Sequence, residues 1–311
     1  AWFEDAGVIA DRAAGPVLVH GERMPGARWF PGTRLNFAEN LLRQRGAETA
    51  VVFRDERGAR RELSWDALRA ETARVADGLR TAGVQPGDRV AGLMPNLPET
   101  LVAMLAAASV GATWTSCSPD FGVAGVLDRF GQVRPKILFA ADGYVYAGKP
   151  MDTRDSLARL LPALPDLARV VVVPYLSEDP DLSPLPRAVR WQDFGRPGAA
   201  EVFERLPFDH PLYILYSSGT TGAPKCIVHG AGGTLLQHLK EHRLHTDVKP
   251  GDRLFYYTTC GWMMWNWLAS GLASSATLVL YEGSPFHPDP SVLWEMAAAE
   301  GVTIFGTSPK Y

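Results

Sequence analysis

A stretch rich in hydroxyl groups and glycine lies between two strand-like runs, at residues 216–225, with the sequence YSSGTTGAPK. Its four Ser or Thr hydroxyls, the backbone amides at two glycines and one terminal ammonium are donors that can wrap a chain of phosphates. A hairpin loop without a ligand is the alternative. The Walker pattern does not fit, because Pro224 precedes Lys225 and Cys226 follows it. The stretch therefore predicts a phosphate-binding loop unlike that of P-loop kinases and GTPases.

Three further stretches strengthen this interpretation. They are WFPGTRLNFAEN at residues 29–40, KCIVHGAGG at residues 225–233 and CGWMMWN at residues 260–266. Together with the loop, they resemble the adenylate-forming enzymes, and among these the short-chain acyl-CoA synthetases. The resemblance covers nearly the whole chain but only the front half of the family's length.

The resemblance implies a two-step ligation that uses ATP, Mg2+ and, as co-substrate, CoA. A carboxylate oxygen attacks the α-phosphorus of ATP, pyrophosphate leaves, and the CoA thiol then displaces AMP from the acyl-adenylate. Acetoacetate is the acid that the resemblance favours, and acetate, propionate or another short-chain acid is the alternative. A non-catalytic homologue that keeps the fold for binding or assembly is the alternative from another class.

The resemblance also assigns the phosphate contacts. The implied residues are Ser217, Ser218, Gly219, Thr220, Thr221, Gly222 and Lys225. Lys225 is expected to act as a counter-charge to the leaving pyrophosphate. Lys225 and Thr221 are both expected to stabilise the phosphates. No metal ligand is expected, because the family's Mg2+-binding carboxylate, its ribose-binding Asp and its catalytic Lys have no counterpart before Tyr311.

The acyl pocket is implied to contain Trp262, Met263 and Asn266. An indole and a thioether make an apolar slot, and a buried indole N–H requires an acceptor such as a keto oxygen. An aromatic core helix is the alternative for these residues.

Contacts with CoA are implied for Met264, Tyr146 and Lys149. Tyr146 and Lys149 stand where relatives carry arginines, so that half of the positive charge is missing here. A solvated loop is the alternative at residues 146–149.

The composition restricts the class of protein and its compartment. With 31 Lys and Arg against 34 Asp and Glu, the net charge is -3 and there is no basic excess for nucleic acid, so that small molecules are the expected partners. Cys117, Cys226 and Cys260 are an odd number at wide spacing, which fits neither a disulfide framework nor a thiolate metal cluster. A cytoplasmic protein is therefore expected, and its oligomeric state is left open.

Three histidines follow a helical spacing, at His238, His242 and His245. Such a spacing could mimic a metal-binding face, but no HExxH pattern accompanies it. The expectation is an ordinary polar helix face.

Two apolar stretches, at residues 101–116 and 262–281, raise the question of a membrane span. The first is short of the ~20 residues that a spanning helix needs. The second is divided by Asn266, Gly271 and the pair Ser274-Ser275. Both are expected to be buried elements, and no export signal is visible.

Strand-like and helix-like runs alternate from about residue 49 onward, with an irregular connection at 177–211 that is rich in Pro, Asp and Gly. The alternation predicts an α/β fold of layered, mainly parallel sheets flanked by helices, here the incomplete large N-terminal domain of an adenylate-forming enzyme. The expected divisions are an N-terminal segment at 1–48, a first α/β subdomain at 49–200 and the start of a second at 201–311, with the C-terminal domain absent. Because both ends look cut, the chain is expected to be a fragment that is inactive alone.

Overall fold

Two β-sheets with helices packed on them position the rest of the molecule. The computed structural model describes residues 2–12, 14–217, 222–309 and 311. The strands are β1 (Ala10–Asp11), β2 (Leu18–Val19), β3 (Arg28–Trp29), β4 (Arg34–Leu35), β5 (Thr49–Asp55), β6 (Arg60–Ser64), β7 (Arg89–Leu93), β8 (Thr113–Cys117), β9 (Ile137–Ala141), β10 (Gly143–Tyr146), β11 (Lys149–Asp152), β12 (Arg169–Val173), β13 (Ala188–Arg190), β14 (Leu206–Pro207), β15 (Pro211–Tyr216), β16 (Cys226–Gly230), β17 (Arg253–Tyr256), β18 (Thr277–Glu282) and β19 (Ile304–Gly306).

Helices lie in several of the connections between these strands. The α-helices are α1 (Trp2–Asp5), α2 (Phe37–Leu41), α3 (Trp65–Thr81), α4 (Pro98–Ser109), α5 (Val123–Val133), α6 (Arg154–Leu160), α7 (Ala231–Lys240), α8 (Met263–Ala269) and α9 (Val292–Ala299). Short 3-10 turns lie at Leu161–Ala163, Trp191–Asp193 and Ser270–Ser274, and a π-turn at Glu241–His245 continues α7.

The first sheet runs β13-β12-β9-β7-β8-β15-β16 among the described residues. Every neighbouring pair in it is parallel except β15 and β16, which form an antiparallel hairpin at one edge. The valines of β12 are buried on both faces, as is typical of a strand inside a parallel sheet. The prediction of layered, mainly parallel sheets is confirmed.

The second sheet runs β19-β17-β18-β5-β6 and is also parallel except for the pair β5 and β6. Both sheets take strands from either side of residue 200, since β5 pairs with β18 across more than two hundred residues. The expected subdomain boundary at residue 200 therefore does not separate one sheet from the other. Whether it separates two subdomains stays a prediction.

A pair of helices fills the space between the two sheets. Helix α3 packs on β5 and β6, α4 packs on β7 and β8, and the two helices pack on each other. The Ser64 hydroxyl accepts a hydrogen bond from the Ala67 N–H and caps the start of α3. All of α4 except Glu99 is buried, which accounts for the apolar stretch at 101–116. Within the described ranges, no helix is long and apolar enough to cross a membrane.

The connection at 177–211 is more regular than expected. It contributes β13, which pairs in parallel with β12 at the far edge of the first sheet, and it also contributes the whole of β14. The expectation of a wholly irregular connection was wrong, because pairing with an available sheet edge satisfies backbone groups that Pro-rich and Asp-rich segments would otherwise leave to water.

Candidate functional site

The predicted phosphate-binding loop joins β15 to β16. Two hydrogen bonds close the loop immediately beyond the strands: the Ser217 N–H donates to the Lys225 carbonyl at 3.0 Å, and the Lys225 N–H donates to Ser217 Oγ at 3.0 Å. These bonds fix Ser217 and Lys225 opposite each other at the edge of the sheet. The predicted phosphate ligands Ser218, Gly219, Thr220 and Thr221 lie outside the described residues.

The described part of the loop leaves room for a ligand. The Lys225 side chain is exposed, and no carboxylate of the described residues forms an ion pair with it. Gly222 adopts a φ of +136°, a backbone conformation that glycine tolerates. Apart from its chain neighbours, no atom of the described residues lies within 4 Å of the position that a Cβ would take. An unpaired ammonium beside open space suits an anionic ligand.

Two partly buried contacts hold the base of the loop. Gln132 Nε2 on α5 donates to the Pro224 carbonyl at 2.9 Å. On the other strand, the Tyr216 hydroxyl lies 2.9 Å from Thr115 Oγ1, and burial raises the pKa of Tyr216, so that this phenol stays neutral. Gln132 and Thr115 were missed at the level of sequence, since neither belongs to a motif and both lie about a hundred residues from the loop.

A cavity of about 790 Å³ opens beside the hairpin. Its walls come from β16, from α7 with its π-turn, and from the start of α8. Val228 of β16 lines it only three residues after Lys225, roughly 10 Å along an extended strand. We name this space cavity 1; a molecule held in it could present one end to a group bound at the loop.

The residues predicted for the acyl pocket do not all line the same cavity in the structure. Met263 lines cavity 1, and so does Met264, which the sequence had assigned to CoA. Trp262 is 55% exposed and lines neither cavity 1 nor the second cavity described below. Asn266 is buried, and its Nδ2 reaches the Trp262 carbonyl at 3.4 Å. Trp262 and Asn266 remain predictions as acyl contacts.

The histidines of α7 and its π-turn do not form the expected polar face. His238 and His242 are buried, and only His245 is exposed. Burial lowers the pKa of His238 to about 4 and that of His242 to about 3, so that both imidazoles are neutral at pH 7. The expectation failed because α7 packs on the Ser270–Ser274 turn, and because the His242 ring of the π-turn lies 4.4 Å from the ring of Trp267 on α8. In the described part of the chain, no three His, Cys, Asp or Glu side chains are grouped to hold a metal ion.

A second cavity, of about 560 Å³, contains the predicted CoA residues Tyr146 and Lys149. We name it cavity 2. Both residues belong to the hairpin of β10 and β11, whose turn is held by Glu56: its carboxylate accepts hydrogen bonds from the Ala147 N–H at 3.1 Å and the Gly148 N–H at 2.7 Å. The sequence did not reveal Glu56, which lies about ninety residues from the turn.

An acidic group, Glu282, also lines cavity 2. Burial raises the pKa of Glu282 to about 8, and the nearby carboxylates of Asp120 and Glu56 act in the same direction. Its Oε2 accepts a hydrogen bond from the Asn96 N–H at 2.6 Å. The sequence analysis did not identify Glu282 as a site residue, because its position in the sequence indicates only the polar end of a strand.

Comparisons with known proteins address the family of the chain. A family model described as AMP-binding enzyme matches residues 37–311. An acetoacetyl-coenzyme A synthetase of Rhizobium meliloti (strain 1021) is 58% identical over 297 residues, which are 94% of this chain and 45% of that relative. An acetoacetyl-CoA synthetase of Mus musculus is 50% identical over 292 residues, with coverages of 91% and 44%.

A solved structure shows the same fold. The acetoacetyl-CoA synthetase from Streptomyces lividans superposes with a TM-score of 0.94 at 47% identity, over 99% of this chain and 47% of that one. The chain thus spans a little under half the length of the relatives it matches. The resemblance drawn from the sequence is confirmed, and the chain belongs to the AMP-binding enzyme family.

Proposed function

We propose that the protein to which this chain belongs is an ATP-dependent acid–thiol ligase that forms acetoacetyl-CoA from acetoacetate, ATP and CoA through an acyl-adenylate. The observation that carries the proposal is the pairing of Ser217 and Lys225 at the mouth of the hairpin, next to cavity 1. Membership of the AMP-binding family supports the nucleotide, and the names of the relatives support the acid.

In the first step, the chain's own contribution is charge and position. A carboxylate is already ionised at pH 7 and needs no base, so that the barrier is lowered by orienting the reactants and neutralising the phosphates. Lys225 is the described cation at this place, and Ser217, Ser218, Gly219, Thr220, Thr221 and Gly222 are the proposed hydrogen-bonding groups of the loop. Mg2+ belongs to the proposed reaction, but the described residues offer no carboxylate cluster for it, and no step is assigned to it.

Cavity 1 is the proposed site of the acid, with Met263 as a wall and Trp262 and Asn266 as the further predicted contacts. Because Met264 lines the same cavity, it is proposed here as an acyl contact.

Cavity 2 is the proposed site of CoA. Tyr146 offers a ring and Lys149 an ammonium for the nucleotide end of CoA, and both side chains are accessible there.

A cytoplasmic location is proposed from the cysteines. Cys117, Cys226 and Cys260 are all free thiols, and Cys117 and Cys260 are buried. Burial raises the pKa of Cys117 to about 12, which leaves it inert as a thiol. Free cysteines without a disulfide are typical of a reducing compartment.

The test is to assay the full-length protein with acetoacetate, acetate and propionate. ATP–pyrophosphate exchange reports the first step, and thioester formation with CoA reports the second. We expect both activities, with the highest kcat/KM for acetoacetate. Equal kcat/KM for acetate would contradict the acid assignment, and no exchange with any acid would favour a non-catalytic homologue.

A further inference from the structure

A further cavity, of about 560 Å³, lies beside cavity 1 on the same helix. We name it cavity 3. Both cavities are lined by Trp29, Phe208, Gly233 and Gln237. Leu236 and Lys240 of α7 line cavity 3 alone, whereas residues 234, 238 and 241 line cavity 1 alone. Because residues three or four positions apart share one face of a helix, the two cavities occupy adjacent stripes of α7 and meet along the line from Gly233 to Gln237.

Gly233 leaves this line open. It is exposed in the first turn of α7, and apart from its chain neighbours and the backbone of its own helix, no described atom lies within 4 Å of the position that a Cβ would take. The neighbouring Gly232 is required by packing, since its Cβ would lie 2.3 Å from the Phe208 ring. No such contact among the described residues requires a glycine at 233, although alanine favours a helix more. Gly233 therefore keeps a space in which a ligand can approach the backbone closely.

The side chain of Gln237 lies away from this space. Its Nε2 donates a hydrogen bond to Glu241 Oε1 at 2.8 Å, one helical turn further along the chain, whereas Gly233 lies one turn before it. Trp29 and Phe208 line both cavities from the other elements. The passage between the cavities therefore lies over Gly233, beside two aromatic rings.

Cavity 3 suits a hydrocarbon chain. Its wall contains a row of aromatic rings, with centroids 5.0 Å apart between Phe3 and Phe30 and 4.9 Å apart between Phe30 and Phe208. The two cations that line it, Arg12 and Lys240, already form ion pairs with neighbouring carboxylates. An uncharged chain gains free energy by burial against such a wall, and it leaves no charge without a partner.

Cavity 1 is larger than acetoacetate requires. Its volume is about 790 Å³, and pockets of roughly 300 to 1,000 Å³ accommodate drug-sized ligands, which are much larger than acetoacetate. In the proposed function, the carboxylate of the acid lies toward Val228 and the phosphate loop. The opposite end of a longer acid then has space to continue along α7.

We propose that the protein also activates longer 3-oxo acids, of about six to eight carbons, whose hydrocarbon tails pass over Gly233 from cavity 1 into cavity 3. The inference rests on the proposed function, because it assumes that the acid lies in cavity 1. The reaction is the same for these acids. A carboxylate oxygen bonds to the α-phosphorus as the bond to pyrophosphate breaks, and the CoA thiol then displaces AMP and releases its proton.

A side chain at position 233 tests the passage. Gly233→Leu fills the space over the helix, and the readout is the ratio of kcat/KM for 3-oxooctanoate to that for acetoacetate. ATP–pyrophosphate exchange in the full-length protein measures both values, and because the two acids share the reacting end, the ratio reports the tail alone. The matched control is Gly131→Leu, since Gly131 is an exposed glycine of α5 with equally open space at its Cβ and lines none of the three cavities.

We expect wild-type protein to use 3-oxooctanoate with a kcat/KM within about tenfold of that for acetoacetate, and the ratio to fall about tenfold or more in Gly233→Leu. Gly131→Leu should keep the wild-type ratio. An unchanged ratio in Gly233→Leu would overturn the proposal, and so would an equal fall in Gly131→Leu. Exchange with acetoacetate but with no longer acid would refute this inference alone, whereas exchange with no acid would refute the proposed function itself.

A chain-length series in wild-type protein covers the case in which Gly233→Leu does not fold. From acetoacetate through 3-oxohexanoate to 3-oxooctanoate, kcat/KM should hold or rise, because each added methylene finds apolar surface. A fall of about a hundredfold or more at the first extension would show a closed pocket and overturn the proposal, whatever the variants do.

Discussion

The indole Nε1 of Trp265 donates a hydrogen bond to Asn96 Oδ1 at 2.9 Å, and both residues are almost completely buried. The same Asn96 donates its backbone N–H to Glu282, so that one residue joins α8, beside cavity 1, to the wall of cavity 2. Hydrogen bonds through Asn96 therefore link the walls of the two cavities, and Asn96 lies more than 160 residues from both partners in the chain.

The first prediction concerns this link. Asn96→Ala leaves the buried Trp265 N–H without its acceptor, and we expect the free energy of unfolding to fall by about 1 to 3 kcal/mol. Urea unfolding of the full-length protein measures the change. In a double-mutant cycle with Trp265→Phe, the two losses should not add, and strict additivity would show that the hydrogen bond contributes nothing.

The second prediction concerns the phosphate loop. Lys225→Ala removes a charge-assisted contact worth about 1.5 to 3 kcal/mol, so that adenylation should slow by roughly 10- to 150-fold. ATP–pyrophosphate exchange at subsaturating ATP is the assay. The control is Lys249→Ala, another exposed lysine, which is paired with Asp247 on a distant turn. An unchanged rate in Lys225→Ala would remove this residue from the phosphate site.

The third prediction concerns Glu56 and the turn of cavity 2. Glu56 accepts hydrogen bonds from the backbone of Ala147, Gly148 and Ser284, and Glu56→Ala releases all three. If Tyr146 and Lys149 contact CoA, the KM for CoA should rise about tenfold, while pyrophosphate exchange, which needs no CoA, stays unchanged. The exposed Glu62→Ala serves as control. A parallel loss in both assays would indicate a general effect on folding instead.

The fourth prediction concerns Glu282 and the change in stability between pH 5 and 8. Burial raises the pKa of Glu282 from 4.5 to about 8, so its contribution to stability is fully present below pH 4.5 and is lost as the pH rises through 8. Glu282→Gln should therefore lose less stability than wild type between pH 5 and 8, by at most about 1.4 kcal/mol per pH unit. Denaturant unfolding at both pH values measures this difference. The exposed Glu178→Gln should behave as wild type.

The fifth prediction concerns the buried histidines and acid. The folded-state pKa values of His238 and His242 lie below the ordinary value of 6.5, so that protons bind the unfolded chain first as the pH falls. The free energy of unfolding should fall between pH 6.5 and about 4, by at most about 1.4 kcal/mol per pH unit for each histidine. His242→Gln should reduce this slope. The exposed His245→Gln should leave it unchanged, and equal slopes in all three proteins would contradict the assignment.

Much of the fold and the family was predictable because it depends on local pattern. The start of α3 at Ser64 and the buried strand β12 are set by residues adjacent in the chain, and so is the hairpin loop that ends at Lys225. A helix cap and the hydrophobic pattern of a strand or helix each depend on residues only a few positions apart. Both can therefore be recognised in the sequence alone.

The tertiary structure decided what those local elements face. His238 reads as part of a polar helix face, but it is buried because α7 packs on the turn Ser270–Ser274. Glu282 reads as the polar end of a strand, but its pKa is raised because the fold surrounds it with apolar and acidic groups. Burial and charge depend on neighbours supplied by distant segments, and a spacing along the chain does not identify those neighbours. The sequence by itself therefore determined the family and predicted a phosphate-binding role for the loop at 216–225. Only the packing of distant segments decided which side chains line the cavities and whether they are protonated.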